Sequence, residues 1–411
     1  MNFKRKLWWA QHRADVYKYG TILSLVLIVT ISIIYFTYSK FTSKNEMSAY
    51  ETTVEPSIKN DDLIASYIDG EWSNEIPGKN DGYVVDKIVC DNGATGTWDN
   101  EEWGINIRNA TKKIKCSVFF IVPPVPIVEK ITTLSATDTT NFATDDPDNN
   151  IRYIGANPNN YVYFNCSDYS NQSDSTCEKW RIIGVFKNIT KSDGSKADLV
   201  KIIRDDSLGS IAWDSNNVND WSTASLQTTL NGTYYNGTYA TGALKNDATR
   251  NAIESVVWNL GGTANYSSAS SGLASHFYGY ERGTTVYSGH APTWTGKIGL
   301  MYPSDYGYAT SGGSTTNRAA CLAKEMYHWD GSDVSDCKNN DYLLKRYLQW
   351  TLAPDSSYSS AAFNVDPEGD VNNYYAYFTY YTVRPAAFLK SNITISSGDG
   401  SSTTPYNLKI N

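Results

Sequence analysis

Catalytic and metal-binding signatures are scarce in this sequence of 411 residues. It has only four histidines, and it contains no HExxH, no GxSxG, no P-loop and no CxxC pair. Acidic residues (43) outnumber basic residues (35), whereas nucleic-acid binding needs clustered basic charge. The sequence therefore predicts no nucleic-acid partner, no cofactor and no coherent catalytic set.

Aromatic and small polar residues are abundant instead. The chain has 31 tyrosines and 12 tryptophans, and only 19% of its residues are charged. Asn, Ser, Thr and Gly fill much of the rest. This composition favours a β-rich extracellular protein whose surfaces interact through aromatic rings and amides rather than through charges.

Residues 20–39 form an uncharged, mostly apolar stretch near the N-terminus. A helix of about twenty residues rises about 30 Å, the thickness of the hydrocarbon core of a bilayer. Residues 1–19 are rich in Lys and Arg, which favours retention of this tail in the cytoplasm. A cleaved signal peptide and a buried core helix are the alternatives, but the stretch ends in YFTYSKF, which offers no small-x-small cleavage site. We predict a single-pass cell-membrane protein whose C-terminal domains are extracellular.

The six cysteines occur as local pairs: Cys90 and Cys116, Cys166 and Cys177, Cys321 and Cys337. Six cysteines allow many connectivities, so pairing by proximity is one of several possibilities. Zinc binding is the alternative to disulfides, but no Cys/His cluster supports it. Three disulfides are the simpler interpretation outside the reducing cytosol.

The predicted extracellular part divides into segments of different composition, and the predicted fold class is α+β. Residues 40–62 are polar and predict a stalk, and residues 63–129 predict a small disulfide-bridged β module of sandwich type. Residues 130–150 are rich in Thr, Asp and Asn and predict a linker. Residues 151–411 predict one large domain.

Within the large domain, apolar runs predict strands at 161–164, 180–186, 199–203, around 363, at 374–381 and at 382–389. Two helices are expected. The first contains Leu226 and Leu230, with Asp220 or Ser222 as its cap. The second begins at Asn246 or Asp247 and continues to residue 260, because Ile253, Val256, Val257 and Leu260 recur at helical spacing.

Several segments of this domain resemble one family. They are RYIGANPNNYVYFN (152–165), WRIIGVF (180–186), DDSLGSIAWDS (205–215), W-x₄-L-x₃-LN (221–231), GLMYPSDYGYA (299–309) and VRPAAFLK (383–390). In this order they are similar to a domain of uncharacterised function in surface proteins of Gram-positive gut bacteria, which itself resembles the formylglycine-generating-enzyme branch of the C-type-lectin-like fold. The upstream segment 82–107 resembles a small module often found beside that domain.

The resemblance implies paired terminal strands and a loop-rich centre that carries binding. Residues 180–186 and 382–389 have the β-branched and aromatic residues of buried strands, and the fold that they resemble brings its two ends together, so we expect both in one sheet. Because proline cannot donate a ladder hydrogen bond, Pro385 is expected at an edge, a bulge or a strand interruption. The formylglycine-generating enzymes hold copper with two nearby cysteines, whereas VRPAAF contains no cysteine. The resemblance therefore does not extend to copper chemistry.

The loop region 263–308 is rich in Gly, Ser and aromatic residues without periodicity. Aromatic rings can stack on sugar faces and make large, low-entropy contacts with proteins. The alternative is that these rings pack a loop-rich core. The predicted ligand-binding residues are Tyr266, Tyr278, Tyr280, Trp294 and Tyr306.

Acidic runs and histidines are weaker candidates. Asp330, Asp333 and Asp336 lie between Cys321 and Cys337 and are calcium candidates. The runs 145–150 and 366–370 are predicted to be turns rather than calcium sites. Asp205 and Asp206 mark the start of a turn or helix, with general acid–base chemistry as the alternative. His276, His290 and His328 are the histidines outside the tail. His328, in the run MYHWD (326–330), is expected to pack in an aromatic cluster, with a metal or catalytic role as the alternative.

The sequence thus predicts a membrane-anchored extracellular recognition or adhesion protein. It is expected to be non-catalytic and to bind a glycan or a host or cell-surface protein. An extracellular enzyme, either of the formylglycine-generating type or a hydrolase, is the first alternative. A structural subunit of a surface appendage is the second.

Overall fold

The computed structural model describes Lys18 and residues 64–73, 75–240 and 242–410. The predicted membrane span at 20–39 and the stalk at 40–62 lie outside these residues, as does the tail apart from Lys18. No helix in the described part of the chain is long and apolar enough to cross a membrane. The chain is a mixed α+β structure dominated by sheets, and it divides into two compact units, residues 1–121 and 122–411.

The small unit contains six described strands. They are β1 (Ile64–Ile68), β2 (Glu71–Ser73), β3 (Val84–Cys90), β4 (Thr95–Asp99), β5 (Gly104–Arg108) and β6 (Cys116–Ile121). Four of them form a mixed sheet in the order β2-β1-β6-β3, in which β1 runs parallel to β6. The remaining two form a separate antiparallel hairpin, β4–β5. The unit is therefore one sheet with a hairpin packed against one face.

A disulfide joins two neighbouring strands of this sheet. Cys90 and Cys116 lie directly opposite each other in β3 and β6 and are bonded, as predicted. Trp98 and Trp103 pack on Phe120, with ring centroids 5.2 and 6.2 Å away. So small a core gains stability from a cross-link because little apolar surface is available for burial.

The large unit contains fifteen described strands. They are β7 (Val125–Pro126), β8 (Phe142–Ala143), β9 (Ile151–Tyr153), β10 (Tyr161–Phe164), β11 (Glu178–Thr190), β12 (Lys196–Arg204), β13 (Val256–Asn259), β14 (Thr293–Gly296), β15 (Ile298–Gly299), β16 (Gln349–Pro354), β17 (Ala361–Val365), β18 (Val371–Tyr375), β19 (Ala386–Phe388), β20 (Thr394–Ser397) and β21 (Asn407–Lys409).

The central sheet of this unit has seven strands. Its order is β15-β19-β12-β11-β9-β8, and β10 also pairs with β11. Residues 180–186 of β11 are all buried, which explains why their sequence is continuously apolar rather than alternating. β11 and β19 lie in the same sheet with β12 between them. The predicted shared sheet is therefore confirmed for residues 386–388 of the predicted strand 382–389. Pro385 lies just before β19, where its missing N–H removes no ladder bond.

Short helices and two further kinds of helical turn alternate with these strands along the chain. The α-helices are α1 (Ile127–Ser135), α2 (Ser225–Thr229), α3 (Asp247–Ala252), α4 (Ala274–Glu281), α5 (Pro303–Gly307), α6 (Arg318–Leu322) and α7 (Ser335–Asn339). A π-helical turn follows α2 at Leu230–Tyr234, and 3₁₀ turns occur at Met326–His328 and Ser332–Val334. Disulfides Cys166–Cys177 and Cys321–Cys337 are present, and every cysteine, all six being described, is paired.

The second predicted helix is only half right. Asn246 caps α3 as expected, since its side chain accepts a hydrogen bond from the Thr249 N–H at 2.9 Å. The helix ends at Ala252, however, and Val256–Asn259 is strand β13, paired with β14. Cross-strand pairing, including Trp258 opposite Trp294, overrides the helical spacing of these β-branched residues.

Residues 130–150 are not a structureless linker. They include most of α1, whose Ile127 and Ile131 lie on one face and are buried, and strand β8. Phe142 of β8 pairs with Tyr153 and packs on its ring at 4.2 Å. A few well-placed apolar residues are enough to order a segment whose overall composition is polar.

Candidate functional site

The structure does not bring the five predicted ligand-binding aromatics together. Tyr278 and Tyr306 are buried, whereas Tyr266, Tyr280 and Trp294 are half-buried. No ring contact joins any two of these five, all of which lie in the described part of the chain.

The two buried tyrosines belong to the core. The Tyr306 hydroxyl donates to the Gly369 carbonyl at 2.7 Å, and its ring lies 5.4 Å from Trp329. The Tyr278 hydroxyl donates to Asp148 at 2.6 Å, and Arg282 lies over its ring. Because the hydroxyls have partners inside the unit, burial of these rings leaves no polar group unsatisfied.

The half-buried members also have internal roles. Tyr266 packs edge-on against Phe363 at 5.0 Å, and its hydroxyl donates to Asn372 at 3.1 Å. Trp294 packs on Trp221 at 6.4 Å. The loop region 263–308 therefore fills the space between elements instead of displaying one aromatic face.

An exposed aromatic cluster lies elsewhere, in the segment that follows β17. We define the aromatic patch as Tyr374, Tyr375, Tyr377, Phe378 and Tyr380. The four tyrosines have exposed fractions of 45%, 51%, 47% and 70%, respectively. Tyr358, on the neighbouring β16–β17 loop, is 63% exposed. These rings form the largest group of exposed aromatics in the described residues.

Phe378 is the hub of the aromatic patch. Its ring lies 4.8 Å from Tyr374, 4.5 Å from Tyr377, 6.0 Å from Tyr380 and 6.4 Å from Tyr375. Aromatic pairs at such separations attract each other beyond simple burial. The rings therefore support one another as a single surface.

The backbone holds residues 376–381, which follow β18, at both ends. The Ala376 N–H donates to the Ser360 carbonyl at 2.7 Å, and its carbonyl accepts from the Asp214 N–H at 3.0 Å. At the other end, the Tyr381 carbonyl accepts from the Ile211 N–H at 3.0 Å. Tyr381 is buried and stacks on Trp350 with a centroid distance of 4.0 Å. Core contacts thus fix the loop while its outward rings stay exposed.

Sequence reasoning missed the aromatic patch because it assigned 374–381 to a strand. The sequence does contain a signal against a strand here. Six of these eight residues are aromatic, so apolar and polar residues do not alternate as they do in a strand with one buried and one exposed face. One small strand pair cannot bury so many rings. In addition, residues 371–383 contain no charged side chain.

The calcium candidates are not brought together. Asp336 accepts hydrogen bonds from the N–H groups of Thr315 and Thr316 at 2.7 and 2.9 Å and so stabilises the loop that contains these two residues. In the described residues, no group of three His, Cys, Asp or Glu side chains could hold a metal ion. Asp330 and Asp333 therefore join no such group.

The other acidic candidates form ion pairs or lie in a turn. Asp146 of the 145–150 run is buried and forms an ion pair with Arg152. In the 366–370 turn, burial and the neighbouring Asp370 and Glu368 raise the pKa of Asp366 to about 7. Asp205 forms an ion pair with Lys345 at 2.6 Å.

The histidines lie in three different places. His276 accepts from the Leu273 N–H at 3.4 Å in the first turn of α4. His290 packs near Tyr287, and His328 is exposed beside Tyr327. Packing in an aromatic cluster was expected for His328, whose ring lies 4.9 Å from that of Tyr327.

A buried ionic cluster connects the central sheet to the helices. Arg152 contacts Asp146 through Nε at 2.7 Å and Asp305 through Nη1 at 2.8 Å. Lys201 of β12 contacts the second Asp305 oxygen at 2.5 Å. Glu281 accepts from both the N–H and the hydroxyl of Ser304. Removal of one partner from such a cluster leaves an uncompensated charge, so the cluster fixes where α4 and α5 sit on the sheet.

Burial and the neighbouring charges shift the pKa values of the acidic members of this cluster. Burial disfavours the Asp305 carboxylate, but Lys201 and Arg152 more than offset this and lower its pKa to about 2. Burial raises the pKa of Glu281 to about 7, although Arg282 opposes the shift. A cavity of about 20 Å³ beside Lys201 and Arg282 has room for a water molecule and no larger ligand. This geometry suits a structural cluster better than a substrate site.

No protein-family model, no curated protein and no solved structure matches this chain. The function is therefore inferred from the geometry of its own residues.

Proposed function

We propose that this chain is a membrane-anchored, extracellular, non-catalytic recognition protein that binds the surface of another protein through its aromatic patch. The observation that carries the proposal is the exposure of four adjacent tyrosines around one phenylalanine. A soluble surface rarely exposes so much contiguous apolar area without a binding role.

The chemistry of the aromatic patch suits a protein partner. Centres of protein interfaces are enriched in Tyr, Trp and Phe and depleted in charge, and residues 371–383 share both properties. Tyrosine supplies a large contact area with little side-chain entropy to lose, and its hydroxyl adds hydrogen bonds at the rim. Energetic hot spots of interfaces are rich in this residue type.

Anchoring of the loop favours tight binding. Because Ala376 and Tyr381 tie the segment to the core at both ends, little backbone freedom is lost when a partner docks. Preorganisation of this kind raises affinity by reducing the entropic cost of association. The aromatic patch is therefore ready for contact without a folding step.

The anchor itself rests on the sequence of residues 1–39. On intact cells, added protease should digest the part beyond residue 45 and spare residues 1–19. A shed protein that begins near residue 40 would instead favour a cleaved signal peptide.

The functional proposal is tested with full-length protein in detergent on paired arrays of extracellular proteins and of glycans. We expect a protein target that the Tyr375→Ala/Tyr377→Ala/Tyr380→Ala variant no longer binds. The matched control is Tyr280→Ala/Trp294→Ala, which removes half-buried rings outside the patch and should retain binding.

Three other results would contradict the proposal. Glycan binding lost in the triple variant would leave the site in place but make the ligand a carbohydrate. Loss of binding in the control alone would return the site to the 263–308 region. Turnover of any array substrate would favour the enzyme alternative.

A further inference from the structure

Among the residues that the structure describes, strand β3 has a free edge. It is the last strand in the order β2-β1-β6-β3, and within the described residues no strand pairs with its other side. Val84, Asp86, Lys87 and Val89 on this strand are exposed. An exposed edge has unpaired N–H and C=O groups and can accept another strand.

The sequence of β3 is self-complementary in antiparallel orientation. Residues 84–89 read Val-Val-Asp-Lys-Ile-Val. If two copies run antiparallel about an axis between residues 86 and 87, Val84 meets Val89 of the second copy and Val85 meets its Ile88. Asp86 then meets Lys87 of the second copy, and this ion pair occurs twice. Opposite charges and β-branched pairs at facing positions both stabilise antiparallel strands.

A β-bulge makes this register geometrically consistent. In a regular strand, residues 84 and 89 would point to opposite faces, because side chains alternate. The register against β6 shifts between Val85 and Lys87, so that Val84 faces Ile121 and Val89 faces Ser117. Positions 121 and 117 of β6 share one face, and Val84 and Val89 therefore also share one. Facing residues of two paired strands must lie on the same side of the sheet, and the bulge meets this condition.

The face that would be extended is already apolar. Val84 and Val89 are 39% and 54% exposed. On the same face, Phe119 stacks on Tyr67 at 4.6 Å, and Lys87 lies 4.5 Å above the Phe119 ring. A second copy would cover the exposed valines and pair the edge of the sheet.

We propose that two copies of this chain associate through β3 to form a symmetric dimer with a continuous sheet. The interface is isologous, so the same residues contribute from both copies and growth stops at two. A dimer carries two aromatic patches, which increases the avidity for any partner that presents repeated sites.

Charge exchange at the centre of the strand tests the dimer. Asp86→Lys places lysines opposite lysines, and Lys87→Asp places aspartates opposite aspartates. The double variant Asp86→Lys/Lys87→Asp restores opposite charges at both positions. Glu102→Lys, an exposed site outside β3, is the matched control for the change in net charge that Asp86→Lys makes.

The full chain is measured by sedimentation equilibrium in density-matched detergent. We expect wild type, the double variant and Glu102→Lys to be dimers of similar affinity. Each single variant should dissociate about tenfold more readily, since two attractive pairs become repulsive. A monomeric wild type would overturn the proposal. Equal association in the single variants, or no rescue in the double variant, would overturn it as well.

Discussion

Truncation of Tyr306 should destabilise the large unit far more than truncation of Tyr380. Tyr306 is fully buried against Trp329, and its hydroxyl satisfies the Gly369 carbonyl. Tyr380 is 70% exposed, so little of its ring is removed from water on folding. The two tyrosines therefore separate a core role from a surface role within one chemical type.

The burial of each ring sets the expected change in the free energy of unfolding. Replacement of a buried aromatic by alanine costs about 3 to 5 kcal/mol through lost transfer energy and a residual cavity. Tyr306→Phe keeps the ring but leaves the Gly369 carbonyl without its donor, which costs about 1 to 3 kcal/mol. Tyr380→Ala should change the free energy of unfolding by no more than about 0.5 kcal/mol.

The assay is urea denaturation of the full chain, followed by near-ultraviolet circular dichroism with disulfides intact. The expected order of stability is wild type and Tyr380→Ala together, then Tyr306→Phe, then Tyr306→Ala. Equal losses in Tyr306→Ala and Tyr380→Ala would refute the assignment of one ring to the core and the other to the surface.

Three further outcomes follow from the structure. The pKa of Glu281 rises from 4.5 to about 7 on folding, so the folded state keeps a proton that the unfolded state has released. Its contribution to stability should therefore fall by about 3 kcal/mol as pH rises from 4.5 to 7, and the difference between the wild-type and Glu281→Gln pH profiles measures it. Replacement of Cys166 and Cys177 by serine should cost about 3 kcal/mol in the same urea assay, and an unchanged midpoint would show that this loop closure is inconsequential. Binding through the charge-free patch should vary little between low and high salt in a titration, whereas a steep salt dependence would indicate a charged site elsewhere.

The buried strands of the central sheet, and disulfides rather than a zinc site, were predictable from the sequence for physical reasons. The run at 180–186 is apolar because every residue in it is buried. The three cysteine pairs follow local spacing, but the sequence left other connectivities open, and the structure decides between them. The strand at 256–259 was not predictable from spacing, since its partner at 293–296 lies far along the chain. Pairing with this distant segment decided between a helix and a strand, both of which the local sequence allowed.

The functional surface was harder to predict for a related reason. Aromatic content alone does not tell a buried ring from an exposed one, and Tyr278 and Tyr306 find hydroxyl partners that only the fold supplies. Tyr380, in contrast, is exposed because backbone bonds at Ala376 and Tyr381 hold its loop outside the core. Such anchors join residues distant in sequence and leave no local pattern.

The most direct test of the proposed function uses the protein partner that the array identifies. Its dissociation constant is measured for wild type and for Tyr375→Ala/Tyr377→Ala/Tyr380→Ala. Truncation of an aromatic hot spot costs about 2 kcal/mol or more, and such losses do not add, so loss of one hot spot among the three rings should already weaken binding about 30-fold while the urea midpoint stays unchanged. Wild-type affinity in the triple variant would contradict the aromatic patch as the recognition surface.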